Sequence, residues 1–321
     1  ELEHRTGKAR YRRTNRKNFL MQMTQIERRQ RRLREIRQML SEVREVTDDI
    51  ARDPHAHYHI GITQNNPMHI PTWISNFSRD PALHGFVPAL RQHLLPRIQK
   101  IHAGEALALR AQVMTAHALS SPELPEEGQI RHVILKEDRI YGHKVMTVNY
   151  TTYDIRRTYD TLSPGKDRDA VMFLPDAGEP SSLHYQYARV LGAYHANVVY
   201  TGPGSLDFRP RRVDFLWVRH FQAENQETPT QRWSSCRLEK LVFPPLSQEG
   251  SFGFIDPSDV IRGVHIIPAF AYGRKHEDGL GMSAAEHAND GADWNNYYVA
   301  QFSDRDLLMR QHWGQAVRHT Y

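Results

Sequence analysis

The chain has 321 residues, of which 39% are hydrophobic, 10% aromatic and 25% charged, enough apolar surface to bury a core and too much aromatic content for wholesale disorder. Its formal net charge of +5 is unevenly placed: residues 1–45 hold 14 Lys/Arg against 6 Asp/Glu, a local +8, which leaves −3 for the other 276. A single cysteine, Cys236, excludes an intramolecular disulfide framework and a cysteine-based zinc site within one chain, and no run approaches the roughly 18 apolar residues of a membrane-spanning helix.

A basic arm opens the chain. Arg5, Lys8, Arg10, Arg12, Arg13, Arg16 and Lys17 crowd one segment, with Tyr11 between them. From Phe19 to about Val46 there is neither Pro nor Gly, and Leu33, Ile36, Leu40 and Val43 recur at helical spacing, so an amphipathic helix is predicted. Arg28, Arg29, Arg31 and Arg32 fall on its other faces. Guanidinium forks match phosphate oxygens, and each phosphate neutralised releases counterions, so this surface is expected to bind DNA in a salt-dependent way. The alternative is a solvated helix face.

Asp53-Pro54 ends that helix, and His55, His57 and His59 then alternate along a short extended segment. Three imidazoles on one side are weak candidates for a divalent metal; the competing reading is a hydrogen-bonded strand. Asp80-Pro81 opens a helix carrying Leu83, Phe86, Leu90, Leu94, Leu95 and Ile98, the stretch from Gly104 to Leu119 reads as a further helix, and Ser120–Gly128 reads as a linker.

Beyond the linker the character changes. Eight short β-branched and aromatic runs follow between Val133 and Ile267, separated by Pro, Gly and Asp turns, and they predict a mostly antiparallel barrel or sandwich. Tyr150, Tyr194, Trp217 and Phe221 in these runs are candidates for an aromatic cage around a methylated lysine, since ring faces attract a quaternary ammonium; packing as core is the competing reading. The glycine-rich stretch 273–293 is expected as a mobile loop, and Tyr297–Trp313 as a closing helix. Walker A, Gly-x-Gly-x-x-Gly and Gly-x-Ser-x-Gly motifs are missing, so no catalytic residue is assigned.

Several longer stretches carry a resemblance: ELEHRTGKARYRRTNRK at the start, HYHI at 57–60, FVPALRQHLL at 86–95, VNYTTYDIRRTYDT at 148–161, YARVLGAYHANV at 187–198, FLWVRHF at 215–221, FGFIDPSDVIRGVHIIPAF at 252–270 and NNYYVAQFSDRDLLMR at 295–310. In this order they resemble the C-terminal part of fungal Plavaka-type transposon proteins of the Kyakuja-Dileera-Zisupton group. The resemblance implies a nuclear, DDE-type cut-and-paste transposase as parent, using Mg or Mn, with its catalytic domain upstream. This chain is then a C-terminal fragment without a cofactor of its own, beginning at Glu1 without an initiator Met. The strand order of 129–272 is also similar to bromo-adjacent-homology (BAH) and Tudor-like chromatin modules.

The resulting expectation is an α+β chain. A basic arm and amphipathic helix span 1–50, small helices 51–128, a β-barrel-like (BAH/Tudor-like) module 129–272, a mobile loop 273–293 and a C-terminal helix 294–321. Its expected role is accessory to DNA transposition: binding DNA through the arm, and contacting chromatin or a transposase subunit through the β module, with no membrane partner. The rival roles are part of a metal-dependent transposase or nuclease active site, and a domesticated protein-interaction scaffold.

Overall fold

The computed structural model describes residues 56–112, 126–152, 156–166, 168–174, 185–224, 238–282 and 284–313, and ten positions within 18–32. The chain divides into two compact units, Glu1–Arg52 and Asp53–Tyr321. In the first, Phe19, Met21, Gln22, Thr24, Gln25, Ile26, Arg28, Arg29 and Arg32 are helical, as a stretch without Pro or Gly favours. The stripe of Leu33, Ile36, Leu40 and Val43 lies outside the described residues.

The second unit is α+β. In chain order its elements are β1 (Tyr58–Ile60), β2 (Pro67–His69), α1 (Ile70–Asn76), α2 (Phe86–Gln112), α3 (Glu126–Gln129), β3 (Val133–His143), β4 (Met146–Thr151), β5 (Arg157–Leu162), β6 (Ala170–Phe173), β7 (Gln186–Tyr200), β8 (Arg211–His220), β9 (Gln222–Ala223), β10 (Lys240–Val242), β11 (Phe252–Ile255), β12 (Val260–Gly263), β13 (Ile266–Pro268), β14 (Tyr297–Val299) and α4 (Arg305–Trp313). All described strand pairs are antiparallel.

The largest sheet runs β11-β8-β7-β3-β2. Its spine is β7, fifteen residues long, which pairs with β8 along one edge and with β6 and then β3 along the other; β12 adds outside β6. Among the described residues the path ends at β11 and β2, which do not pair, so the sheets are open and the expected barrel-like closure is not seen. The reason is local: one edge of β7 is divided between two strands, and the sheet grows outward from both. A three-stranded sheet, β1-β4-β5, and a four-stranded sheet, β13-β14-β10-β9, accompany it.

Side-chain alternation assigns the layers. Along β8, Val213, Phe215 and Trp217 face α2, whereas Leu216 and Val218 face the three-stranded sheet, the period of two that a pleated strand imposes. On the α2 side, Leu83, Phe86, Leu90, Leu94 and Ile98 recur every three or four residues and are all buried against β3, β7 and β8. This helix runs on through Pro96 and Gly104, where the sequence suggested separate helices. On the other side, Ile60, Met146, Val148 and Leu162 close over Ala188, Val190 and Ala193. A third core gathers Met172, Tyr187, Phe221, Leu241, Phe243, Tyr297 and Leu307 between β6, β7, the four-stranded sheet and α4.

Two irregularities keep β7 in phase with its neighbours. Its register against β8 shifts between Val190 and Gly192, and its register against β3 shifts between Leu135 and Ile140, where Glu137 and Asp138 take φ of 57° and 48°. The C-terminal helix expected over Tyr297–Trp313 is also divided: Tyr297–Val299 joins a sheet, and only Arg305–Trp313 is helical. Among the described residues, no helix is long and apolar enough to cross a membrane.

Candidate nucleic-acid interface

The folded body spends many of its arginines internally. Arg97 Nε lies 2.6 Å from Asp256, Arg212 Nε 2.8 Å from Asp214, and Arg211 is held by both Glu105 and Asp207. Two further centres are built round buried arginines, Arg219 and Arg262. In the arm unit, by contrast, helical Arg28, Arg29 and Arg32 are exposed. Arg5, Lys8, Arg10, Arg12, Arg13, Arg16, Lys17 and Arg31 lie outside the described residues.

The first centre follows from strand register. Arg189 on β7 stands directly opposite Arg219 on β8, a cross-strand pair of like charges that a sheet does not tolerate unaided. Asp293, from the segment before β14, enters between them: Arg219 Nη2 lies 2.8 Å from Oδ2 and Arg189 Nη1 3.5 Å from Oδ1. The side chains of Arg219 and Asp293 are both 0% exposed. Tyr297 donates its hydroxyl hydrogen to Asp293 Oδ1 at 3.4 Å, and burial together with the Asp293 charge raises the Tyr297 pKa. Phe243 lies beneath both cations, with the guanidinium carbons 3.9 Å (Arg219) and 4.6 Å (Arg189) from its ring centroid.

The second centre surrounds Arg262 on β12. Its guanidinium reaches Asp160 at 3.1 Å, Asp304 at 2.8 Å and Asp306 at 2.9 Å, while Arg310 Nε bonds Asp306 at 2.7 Å and Arg310 Nη2 donates to the Thr151 carbonyl at 2.9 Å. Burial raises the Asp160 pKa, although Arg262 pulls the other way.

These centres account for two of the four cage candidates. Tyr150 carries the Arg262 guanidinium over its ring at 4.2 Å. Phe221 stacks on Phe243 at 4.0 Å, with Arg189 5.9 Å from its centroid. Trp217 instead packs edge-on against Trp73 and Phe86 in the α2-side core, where Tyr194 stacks on Phe215 at 5.7 Å. The four rings are therefore divided among different packing environments and do not converge. The faces of Tyr150 and Phe221 meet cations, as ring faces do, but the cations belong to the chain itself.

The histidine ladder is used structurally where it is described. His57 Nε2 makes a 2.7 Å hydrogen bond with the Val260 carbonyl, and His59 lies in β1 opposite Thr147; His55 lies outside the described residues. Among the described residues, no three His, Cys, Asp or Glu side chains are grouped to hold a metal ion. A histidine pair that the sequence gave no reason to single out sits elsewhere: His143 Nε2 and His195 Nδ1 are 2.7 Å apart, with Tyr141 stacked on His195. Burial lowers the pKa of both, His195 to about 3, and the Arg212 charge acts in the same direction.

The segment 273–293, expected as a mobile loop, is anchored at several of its described residues. Asp293 fills the arginine centre, and His287 is clamped by Asp80, 2.6 Å from its Nδ1, and by the indole N–H of Trp73, which donates to Nε2 at 3.1 Å. Burial opposes ionisation of Asp80, but hydrogen bonds from the His287 side chain, its backbone and Ala82 hold its pKa below the usual range. Asp290 ties the segment back on itself by accepting the Met282 amide at 3.0 Å.

Sequence reading missed Arg189, Arg219 and Asp293 as a unit, because charged residues 30, 74 and 104 positions apart leave no local signature. The one available sign was arginine inside runs otherwise apolar, YARVLGAY and FLWVRHF. Compared with protein-family models, curated proteins and solved structures, the chain shows no match.

Proposed function

We propose that this chain is a DNA-binding accessory region of a transposase-like protein. In this reading its basic arm lies along duplex phosphates, while the α+β body serves as a docking module for chromatin or a transposase subunit. The observation that carries it is the segregation of charge. Residues 1–45 hold a local +8 against −3 for the rest of the chain, and the arginines described there are exposed; in the body, exposed arginines such as Arg79, Arg131 and Arg157 stand beside Arg97, Arg189, Arg211, Arg212, Arg219, Arg262 and Arg310, which face carboxylates. The resemblance of the ordered motifs to Plavaka-type proteins supports the same reading.

The rival, completion of a metal-dependent active site, calls for converging carboxylates. Asp160, Asp304 and Asp306 do converge, but on Arg262. A guanidinium fills the position a cation would take.

The test is affinity for random-sequence duplex DNA as a function of salt. Each phosphate neutralised contributes about −0.9 to the slope of log K against log salt. Replacing Arg28, Arg29, Arg31 and Arg32 with Ala is expected to flatten that slope by about 3 to 4. A wild-type affinity indifferent to salt, or a slope unchanged in the quadruple variant, refutes the reading.

A further inference from the structure

Most rings of the body are buried; Tyr159, Phe208 and Phe302 are exposed singly, and one corner presents two exposed rings from a single turn. Phe270 and Tyr272, in a single turn of 3₁₀ helix after β13, are 66% and 50% exposed. Phe270 meets Trp294 edge-to-face at 4.9 Å. The turn is held rigidly: Gly273 supplies the positive φ of 74°, Arg274 bridges to Trp294, and Asn295 donates through Nδ2 to the carbonyls of Tyr272 and Arg274. Lys240 Nζ lies 3.7 Å from the Tyr272 ring centroid and 2.6 Å from Glu224, so that ammonium is already compensated.

Arg274 is not compensated. Its guanidinium lies 5.4 Å from the Trp294 ring, the residue is exposed, and among the described residues no carboxylate pairs with it. Exposed rings on a fixed turn, beside a cation without a counter-ion, make a surface that favours planar π-systems linked to anions. A proline-rich peptide would use the rings but leave the guanidinium without a partner.

We propose that Phe270, Tyr272 and Trp294, with Arg274, form a stacking platform for unpaired nucleobases of a single-stranded nucleic acid. The exposed rings of Phe270 and Tyr272 take base faces, Trp294, half-buried against the third core, backs Phe270, and Arg274 takes a neighbouring phosphate. This rests on the nucleic-acid reading of the chain but is separable from it: the arm reads phosphates alone, and the platform reads bases.

The experiment compares binding of the full chain to an oligo-dT strand, an oligo-rU strand and an abasic strand of equal length, at salt high enough to weaken phosphate contacts. The expected result is a preference for dT or rU over the abasic strand of about tenfold per stacked base. The dT and rU arms distinguish DNA from RNA as the source of the bases. Phe270→Ala and Tyr272→Ala are expected to abolish the preference, and Phe270→Leu, which keeps apolar bulk but removes the ring, is expected to do the same with unchanged thermal unfolding. Alanine at Arg28, Arg29, Arg31 and Arg32 should weaken all three strands alike, so failure of the arm and failure of the platform give different patterns. Equal affinity for based and abasic strands, or a preference that survives these substitutions, overturns the proposal. So does binding of a proline-rich peptide at these rings with no preference for bases.

Discussion

Asp293→Asn removes one charge and almost no volume, and it tests the central electrostatic argument about this fold. At the observed 2.8 Å to Arg219, the gross attraction is about 6 kcal/mol for an effective dielectric near 20. Much of this is offset by the cost of taking both ions out of water. Neutralising the aspartate leaves that cost in place: Arg219 remains buried and loses its carboxylate, while the like charge of Arg189 opposite it across β7 and β8 keeps only Asp169, 3.7 Å from its Nε. The expected loss is about 3 to 5 kcal/mol, the range for breaking a buried pair from one side. Arg189→Ala should cost far less, about 1 kcal/mol, because the Arg219–Asp293 pair survives it and the partly exposed Arg189 gives up only long contacts, 3.5 Å to Asp293 and 3.7 Å to Asp169. Urea unfolding followed by circular dichroism, with linear extrapolation, reads both variants. If Asp293→Asn lies within 1 kcal/mol of the wild type, or if Arg189→Ala is the more damaging change, the charge-sandwich account is wrong.

Two further outcomes follow from buried groups. Burial lowers the His93 and His220 pKa values to about 4, with Arg97 adding to the effect at His93, and lowers His195 to about 3. A histidine depressed in the folded state stabilises the fold fully above its unfolded value near 6.5, and that contribution is lost as pH falls toward the folded value. At pH 5 the loss is about 2 kcal/mol each for His93 and His220, so the urea midpoint should drop between pH 7 and pH 5. A His220→Gln variant should show a smaller drop, and an identical pH dependence in the two proteins contradicts the assignment. At Gly192, a Cβ would be forced into the Tyr194 ring. Gly192→Ala should therefore cost about 1 to 3 kcal/mol by overpacking, read as a fall in Tm that a companion Tyr194→Leu partly restores; an unchanged Tm would show that the bulge yields.

The parts of the fold legible in the sequence are those written in short-range periodicity. Leu90, Leu94 and Ile98 announce the buried face of α2, and FLWVRHF alternates between two cores as a central strand must. Legibility fails where pairing partners are distant. β2 at Pro67–His69 and β5 at Arg157–Leu162 carry turn-like or polar residues, and they extend only because β3 and β4 offer their edges. Lys136 to Arg139 are four charged residues in a row, and they form a bulge inside β3. The candidate site divides in the same way. The arm's charge can be counted, but that Phe221 and Tyr150 have rings already met by Arg189 and Arg262 is a fact of register, which no window of sequence holds.

The long strand β7 has a consequence for how the molecule is made. It gives Val198 and Tyr200 to one core, Val190 and Ala193 to the second and Tyr187 to the third, so no core is complete without it. One edge is covered by β3 and β6, which precede it, but the other is covered by β8, which ends at His220. On the ribosome, then, β7 emerges with an apolar flank and a bare row of backbone donors and acceptors, and it stays so until β8 has followed it out. Between synthesis of Tyr200 and His220 that edge is open to pairing with the wrong neighbour.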